Sequence, residues 1–595
     1  MNARVKPASL RTRLYVVLAM LGLASSALVV RAVDLQVVRK DFYQEQGDAR
    51  YLRDIEIPVS RGTIFDRNGE PLAVSTPVES IWANPSELLA HAERIGELAR
   101  ATGLDEQSLR QKLNERAERE FVYIKRHLNP DDAAAILALG IPGVASQREF
   151  RRYYPNGEVV AHALGFTNID DRGQEGLELA FDDWLAGKPG VKRVIRDRLG
   201  HQVEDVELVR EAQPGRDLHV SIDRRIQYLA YRELKAALQE HNAKAGSMVI
   251  LDVPTGEILA MVNQPSFNPN ARGNVDPAWR RNRVATDVVE PGSTMKALTI
   301  AAALESGKWK AHTAIDTTPG TYTLYGHTIS DVRNRGLIDV TGVITHSSNV
   351  GAAKIAGTMT RDHMYDVYHR FGLGEVTGCG FPGESPGNLP IAKNWGPVEQ
   401  ATIAYGYGLS LTPLQLAQAY AAIADDGRLR APTFVKGARN PDRAVIDPQI
   451  AASVRSMLET VVRPPGGGVK AAVANYRVAG KTGTSRTAVG GGYEKRYISL
   501  FAGMVPASAP RLVGVVVIHD PSAGMYYGSL VAAPVFGKVM DGALRLLDVP
   551  PDDVQNWYTG APDPSATLDA ANLQAVRHAP DGASATADFA EEIPE

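Results

Sequence analysis

The sequence predicts a mixed α/β chain of the α+β kind. It has an antiparallel sheet flanked by helices, an elongated α+β pedestal before it, and one N-terminal transmembrane helix. Three observations carry this. Leu14 to Val30, "LYVVLAMLGLASSALVV", is a run of 17 residues without a charge. Strand-like segments in the second half are joined by short loops, which favours antiparallel pairing over a doubly wound parallel sheet. Between those segments, from about Ser293 to Asp426, helical patterns dominate.

Taken in chain order, the apolar run spans about 26 Å as a helix, the short end of a membrane crossing. Arg31 can snorkel, which lets Ala32 and Val33 extend it to a span of 14–33. Arg4, Lys6, Arg11 and Arg13 precede it with no acidic residue, and Arg31, Arg39 and Lys40 follow. The bias puts residues 1–13 in the cytoplasm and the bulk of the chain outside. The rival is a cleaved signal peptide with small residues at Ala24–Ala27, but the apolar run continues past them.

Residues 34–215 are mixed and charged. "IEIPVSRGTIFDRNGEPLAVS" reads as extended pieces around a hairpin-type turn at Asn68-Gly69. Asp105 to Glu120 reads as a solvated polar helix, and "NPDDAAAILAL" from Asn129 as a capped amphipathic one. "QPGRDLHVSID", from Gln213, marks a boundary. After it come a helix from Arg224 to His241 and the strand–turn–strand "GSMVILDV", Pro254-Thr255-Gly256, "EILAMVNQ". Strands return in "NYRVAGKTGTS", "YISLFAGMVP" and "RLVGVVVIHD", and a last helix runs from Ala533 to Leu547. Gly466–Gly468 and Gly490–Gly492 read as loops flanking the Lys481 strand. The second domain is therefore 216–550, and the Ala-, Asp- and Pro-rich 551–595 reads as a disordered tail.

Bulk composition excludes several classes. Net charge is −3 over 595 residues, with no basic stripe of the kind nucleic-acid binding needs. Cys379 is the only cysteine, so neither an intramolecular disulfide nor a cysteine-based zinc site is available. The 13 histidines show no metal-ligand spacing.

Three short stretches can carry chemistry. In "VVEPGSTMKALTI", Pro291-Gly292 turns the chain and delivers Ser293 to the start of an apolar helical run. Lys296, three residues on, lies on the same face. A serine hydroxyl is a poor nucleophile until a base takes its proton. A neutral lysine amine can be that base, a form that burial and the positive end of a helix favour. In "THSSNVGAAKIA", Ser347 can relay a proton, and Asn349 offers both an amide donor and a carbonyl acceptor to a peptide. In "RVAGKTGTSRT", Lys481, Thr482 and Thr484 can bind a carboxylate. Gly483 would let a ligand approach a strand edge closely. "NYRVAGKT" mimics a phosphate loop, but its first glycine position is Asn475 and the segment continues as strand. Singly, each pattern fits a helix cap, a turn or a surface lysine. In this order, with Ser347 54 residues after Ser293 and Lys481 134 after Ser347, they are far more specific.

The set S-x-x-K, S-x-N, K-T-G resembles the serine penicillin-recognising signature. Nearly the whole chain resembles a class B penicillin-binding protein: the short anchor, "SRGTIFDRNGEPLAVS", "RRYYPNG", "GQEGLE", the three motifs, "AYGYGLSLTPLQLAQAY" and "HDPSAGMYYGSLVAAPVFG" come in the family's order. "STPVESIWANPSEL" and the C-terminal segments look most like the division-type member rather than the elongation paralogue.

The resemblance implies a penicillin-recognising transpeptidase fold and a peptidoglycan D,D-transpeptidase. Ser293 would attack the carbonyl between two terminal D-alanines of a stem peptide, with Lys296 taking its proton. The amides of Ser293 and Thr484 would form an oxyanion hole, and Lys481, Thr482 and Thr484 would hold the terminal carboxylate. An amine on a neighbouring stem peptide would then take the acyl group, and β-lactams would acylate Ser293. Cofactors and metals are not implied. Partners would be stem peptides, a membrane-embedded SEDS-type glycosyltransferase and other division proteins, and no nucleic acid. Arg61, Asp66, Arg152 and Glu178 would join parts of the pedestal by ion pairs. Tyr526, Tyr527 and His519 stand between site rim and plain packing.

Alternatives differ in what they leave unexplained. A class A β-lactamase has neither anchor nor pedestal and needs a deacylating glutamate. A D,D-carboxypeptidase differs only in using water as acceptor, and a bifunctional class A enzyme would carry a glycosyltransferase pattern that Val33–Gly215 lacks. A non-catalytic scaffold or β-lactam sensor would be expected to lose Ser293, Lys296 or Lys481, and all three stand.

Overall fold

The apolar run lies within the first described helix. The computed structural model describes residues 9–42, 52–196, 202–273, 275–489 and 492–553. Helix α1, Ser9–Val33, begins slightly before the predicted span and passes into a π-helical turn at Asp34–Val38. Asp34 closes the apolar run by pairing with Arg31 at 2.8 Å and Arg39 at 3.1 Å. Among the described residues this is the one helix long and apolar enough to cross a membrane, and its side chains are exposed. Arg4 and Lys6, residues 1–8 of the expected cytoplasmic segment, Gly490, Gly491 and the tail from residue 554 lie outside the described residues.

Contacts group residues 1–60, 76–151 and 187–215 into one unit and residues 61–75, 152–186 and 216–595 into another. The sequence reading draws a single line at 215. Here 61–75 and 152–186 instead group with the C-terminal part.

The first unit holds an antiparallel sheet of three strands, Leu52–Ile57, Gly190–Arg196 and Gln202–Arg210. It also has a small core in which Leu88, Leu98, Leu109 and Leu113 pack with Ile81 and Ile124. The helix expected over Asp105 to Glu120 is Glu106–Asn114, opened by Asp105 accepting from the Ser108 amide at 2.8 Å. Helix Pro130–Leu137 forms as expected, but Asn129 does not cap it by a side-chain bond to the backbone. Proline at its first position already sets the entry φ.

The second unit is built on five antiparallel strands: β1 Ala245–Asp252, β2 Ile258–Gln264, β3 Ala479–Val489, β4 Gly492–Val505 and β5 Leu512–His519. Their order is β2-β1-β5-β4-β3, so β3, which carries Lys481, is an edge strand. Every residue of β1 and β2 is buried, because both faces of the sheet are covered. Met248 and Ile250 face a cluster with Ile226 and Leu234 of helix α2 (Arg224–Glu240) and Phe536 and Met540 of helix α6 (Gly528–Leu546). Their neighbours Val249 and Leu251 face the opposite cluster. That cluster includes Ile300 of helix α3 (Lys296–Glu305), Ile355 of helix α4 (Asn349–Ala356) and Tyr420 of helix α5 (Pro413–Ala424). This is the period-2 alternation of a strand read out on two apolar layers. Helix α6 starts at Gly528, ahead of the predicted Ala533, and contains Pro534. Pro534 lies inside it, so the Leu530 carbonyl lacks its usual i+4 amide donor.

Candidate active site

The nucleophile turn is held by backbone as much as by side chains. Ser293 lies in a 3-10 turn, Gly292–Met295, that leads straight into α3. Gly292 has φ +52°, and its amide donates to the Gly406 carbonyl at 3.2 Å. A Cβ on Gly406 would sit 2.1 Å from the Gly292 carbonyl oxygen, so only glycine lets these two segments close. Below the turn, Tyr420 donates its hydroxyl to Thr294 O at 2.8 Å, and Thr299 of α3 donates to Ala404 O at 2.6 Å.

Around Ser293 the three motifs meet. Lys296 Nζ donates to Ser293 Oγ at 2.8 Å, to Asn349 Oδ1 at 2.6 Å, and to Ser347 O and Oγ at 2.7 and 3.1 Å. Ser347 Oγ donates to Ser293 Oγ at 2.8 Å. Lys481 Nζ reaches the same Ser347 Oγ at 2.9 Å from the other side. Ser293, Lys296 and Lys481 are fully buried. A hydroxyl between two amines and a second hydroxyl is a connected path along which a proton can move. Ser347 adopts φ +56°, an uncommon conformation for a non-glycine residue, and this turns its hydroxyl into the cluster.

The expected substrate-binding residues divide. Thr482 is buried on β3, its hydroxyl 3.5 Å from Lys481 Nζ. Thr484 Oγ1 accepts from the Gly528 amide at 2.9 Å, tying β3 to the start of α6. Gly483 differs from the expectation. The space its Cβ would take is filled by Pro291 O at 2.9 Å and the Thr294 methyl at 3.1 Å. Its lack of a side chain lets the strand close on the nucleophile turn.

One residue the sequence reading missed supports Asn349. The carboxylate of Asp331 accepts from Ser348 Oγ at 2.5 Å, from the Asn349 amide at 2.5 Å and from the Val350 amide at 3.0 Å. A carboxylate at a helix N-terminus satisfies otherwise orphaned amides and complements the helix dipole. Asp331 thereby fixes where α4 starts, and with it Ser347 and Asn349. Asp331 stands in "TISDVRN", a polar run without a recognisable pattern, so only the fold reveals it.

The residues set aside as structural are so. Arg61 pairs with Glu178 at 2.7 Å and Asp182 at 2.6 Å, and Arg152 pairs with Glu178 at 2.6 Å. Asp66 is a correction: it works by hydrogen bonds, accepting from the Asn68, Glu70 and Arg224 amides. It closes the Asn68-Gly69 turn and caps α2. His519 is the last residue of β5, aligned with Ile498 and Ala245, and burial holds its ring down at about 4. Tyr526 stacks on Tyr497 at 4.0 Å, and Tyr527 precedes α6. Burial pushes the Cys379 thiol up to about 12, so it offers no competing thiolate.

This geometry can be set beside known proteins. Residues 246–541 match the penicillin binding protein transpeptidase domain, and residues 56–220 match the penicillin-binding protein dimerisation domain. The chain is 44% identical over 546 residues to the probable peptidoglycan D,D-transpeptidase PbpC of Pseudomonas aeruginosa, covering 91% of this chain and 97% of that one. It is 44% identical over 538 residues to the peptidoglycan D,D-transpeptidase FtsI of Escherichia coli K12, covering 89% and 91%.

The chain belongs to the class B penicillin-binding proteins. Among solved members, the transpeptidase domain of penicillin-binding protein 3 from Burkholderia pseudomallei is 44% identical with a TM-score of 0.52, covering 56% of this chain and 97% of that one. Penicillin-binding protein 3 from Mycobacterium tuberculosis, solved with aztreonam, is 27% identical with a TM-score of 0.65, covering 84% and 98%. The fold is accordingly that of the family: a penicillin-binding transpeptidase domain with a separate dimerisation domain. Among the described residues no group of three or more His, Cys, Asp or Glu is placed to hold a metal ion.

Proposed function

We propose that this protein is a serine-type peptidoglycan D,D-transpeptidase of the septal, division type. One observation carries the chemistry: side chains from three distant segments converge on Ser293 Oγ, with Lys296 and Ser347 both at 2.8 Å. In this reading Lys296 takes the Ser293 proton as Oγ attacks the penultimate D-alanine carbonyl. Ser347 passes a proton to the departing D-alanine, and Lys481 and Ser347 close the path. Asn349 orients Lys296 and the donor backbone. Lys481, Thr482 and Thr484 hold the donor's terminal carboxylate, with Gly483 keeping their strand against the nucleophile. The Ser293 and Thr484 amides stabilise the oxyanion. The ester then passes its acyl group to an amine of a second stem peptide: a C–N bond forms, the C–Oγ bond breaks and Oγ regains a proton.

The division role rests on the likeness to FtsI. Helix α1 suits a single-pass anchor, and the flanking arginines favour a cytoplasmic N-terminus with residues 34–215 and 216–550 in the periplasm. Docking to a SEDS-type glycosyltransferase and other division proteins follows from the same reading. Covalent labelling by a fluorescent penicillin, absent in Ser293→Ala, is the expected result. Labelling that survives the substitution overturns the assignment of the nucleophile, and no labelling of the wild type overturns the enzyme reading.

A further inference from the structure

A carboxylate stands three residues before the nucleophile, and nothing in the mechanism above uses it. Glu290 is partly buried. Its Oε1 accepts from the Gly408 amide at 2.8 Å and from the Tyr493 hydroxyl at 3.1 Å. Its Oε2 is buried with no hydrogen-bond partner among the described residues. Both partners of Oε1 are neutral, and burial pushes the Glu290 carboxyl above its ordinary range. A desolvated carboxylate with one bare oxygen gains most from a cation.

The surroundings join this carboxylate to the donor strand. The Glu290 carbonyl accepts from Ser485 Oγ at 3.0 Å, one residue past Thr484. The Tyr407 hydroxyl lies 3.5 Å from Thr484 O, and its ring meets Tyr493 edge-on at 5.9 Å between centroids. Tyr493 is 37% exposed, so the tyrosine pair reaches solvent. Two aromatic rings beside a carboxylate suit an alkylammonium, whose charge the carboxylate meets and whose chain the rings cover. The network that handles the donor, around Lys296 and Lys481, is rich in hydrogen-bond donors. It suits a carboxylate and an oxyanion and disfavours an ammonium.

We propose that Glu290, with Tyr407 and Tyr493, binds the protonated amine of the acceptor stem peptide, a proposal that rests on the transpeptidase reading above. The ammonium docks against the Glu290 carboxylate and leaves a proton on it. The freed nitrogen lone pair attacks the acyl carbon held on Ser293. The C–Oγ bond breaks, and the remaining amine proton returns to Oγ through Lys296.

The test is the fate of the acyl-enzyme. Full-length protein in detergent is given a D-alanyl thioester donor with D-alanine as the amine, and amide and free-acid products are separated. The ratio of aminolysis to hydrolysis counts only turned-over acyl-enzyme, so it is independent of how much protein is active. Glu290→Gln is expected to lower the ratio about tenfold or more, the scale of one charge-assisted hydrogen bond. Glu290→Asp should restore part of it, and Tyr493→Phe should lower it about two- to threefold. An unchanged ratio in Glu290→Gln overturns the amine site while leaving the transpeptidase reading intact. A wild type that forms no acyl-enzyme overturns both.

Discussion

Ser293, Lys296 and Lys481 are fully buried, and Arg61, Arg152 and Glu178 nearly so, yet the two groups are made of different parts. In the second, two guanidiniums close on one carboxylate at 2.7 and 2.6 Å, and Asp182 adds another. Arginine does not give up its proton, and a carboxylate saturated by donors has no need of one. That network is fixed charge. In the first, amines and hydroxyls meet: Ser347 Oγ accepts from Lys296 and Lys481 and donates to Ser293 Oγ, which also accepts from Lys296. Burial is common to both; the capacity to exchange a proton belongs to one. Inaccessible polar residues are therefore a poor guide to catalysis unless their ionisation can change.

The comparison can be broken from either side. Removing Ser293 Oγ with Ser293→Ala should slow acylation by at least about 10⁴-fold, read by stopped labelling with fluorescent penicillin, with little change in unfolding. Glu178→Gln should do the reverse. It strands two buried arginines and should cost about 3 to 5 kcal/mol in a denaturant titration. At temperatures where it stays folded, its acylation rate should remain near wild type. An acylation defect in Glu178→Gln larger than its loss of folded protein would erase the distinction.

Asp331→Asn sits between the two cases. Loss of a charged acceptor at the start of α4 should slow acylation roughly 10- to 100-fold, because Ser347 and Asn349 are no longer held, while labelling itself persists. Its effect is expected on the acylation rate constant more than on the concentration of half-saturation.

The smallest effect concerns a buried group that titrates without catalysing. His162 donates from Nε2 to Trp279 O at 2.7 Å, and burial holds its ring down at about 4 against an ordinary 6.5. Below pH 6.5 the unfolded chain binds a proton that the folded chain refuses until about pH 4. Stability is therefore lost as pH falls through that window, by about 2 kcal/mol at pH 5. Comparing denaturant midpoints at pH 7 and pH 5 in wild type and His162→Gln checks this. The variant should show the smaller drop.

Much of this was legible in the sequence. The sheet was, because β1 and β2, and again β4 and β5, are strand-like segments joined in pairs by short turns. The nucleophile was, because Pro291-Gly292 announces a turn ahead of an apolar helix. What stayed hidden depends on distance in space. Asp331 and Glu290 are ordinary acidic residues along the chain until folding brings Ser348 and Tyr493 to them. The packing role of Gly483 stayed hidden for the same reason: its neighbour is Pro291, 192 positions earlier in the chain. The interleaving of 61–75 and 152–186 with the C-terminal unit leaves no compositional trace, since buried ion pairs such as Arg61 with Glu178 look like any surface charge when read one residue at a time.

The glycines that crowd the nucleophile also bear on how this cleft can drift under drug pressure. A methyl at Gly406 would stand 2.1 Å from a carbonyl oxygen, one at Gly483 2.9 Å, and one at Gly528 2.4 Å, each against main chain that has nowhere to retreat. Exchanges that the fold tolerates are thus steered away from the innermost loops and toward outward-facing side chains. A saturation library of the site should come back blank at those three codons.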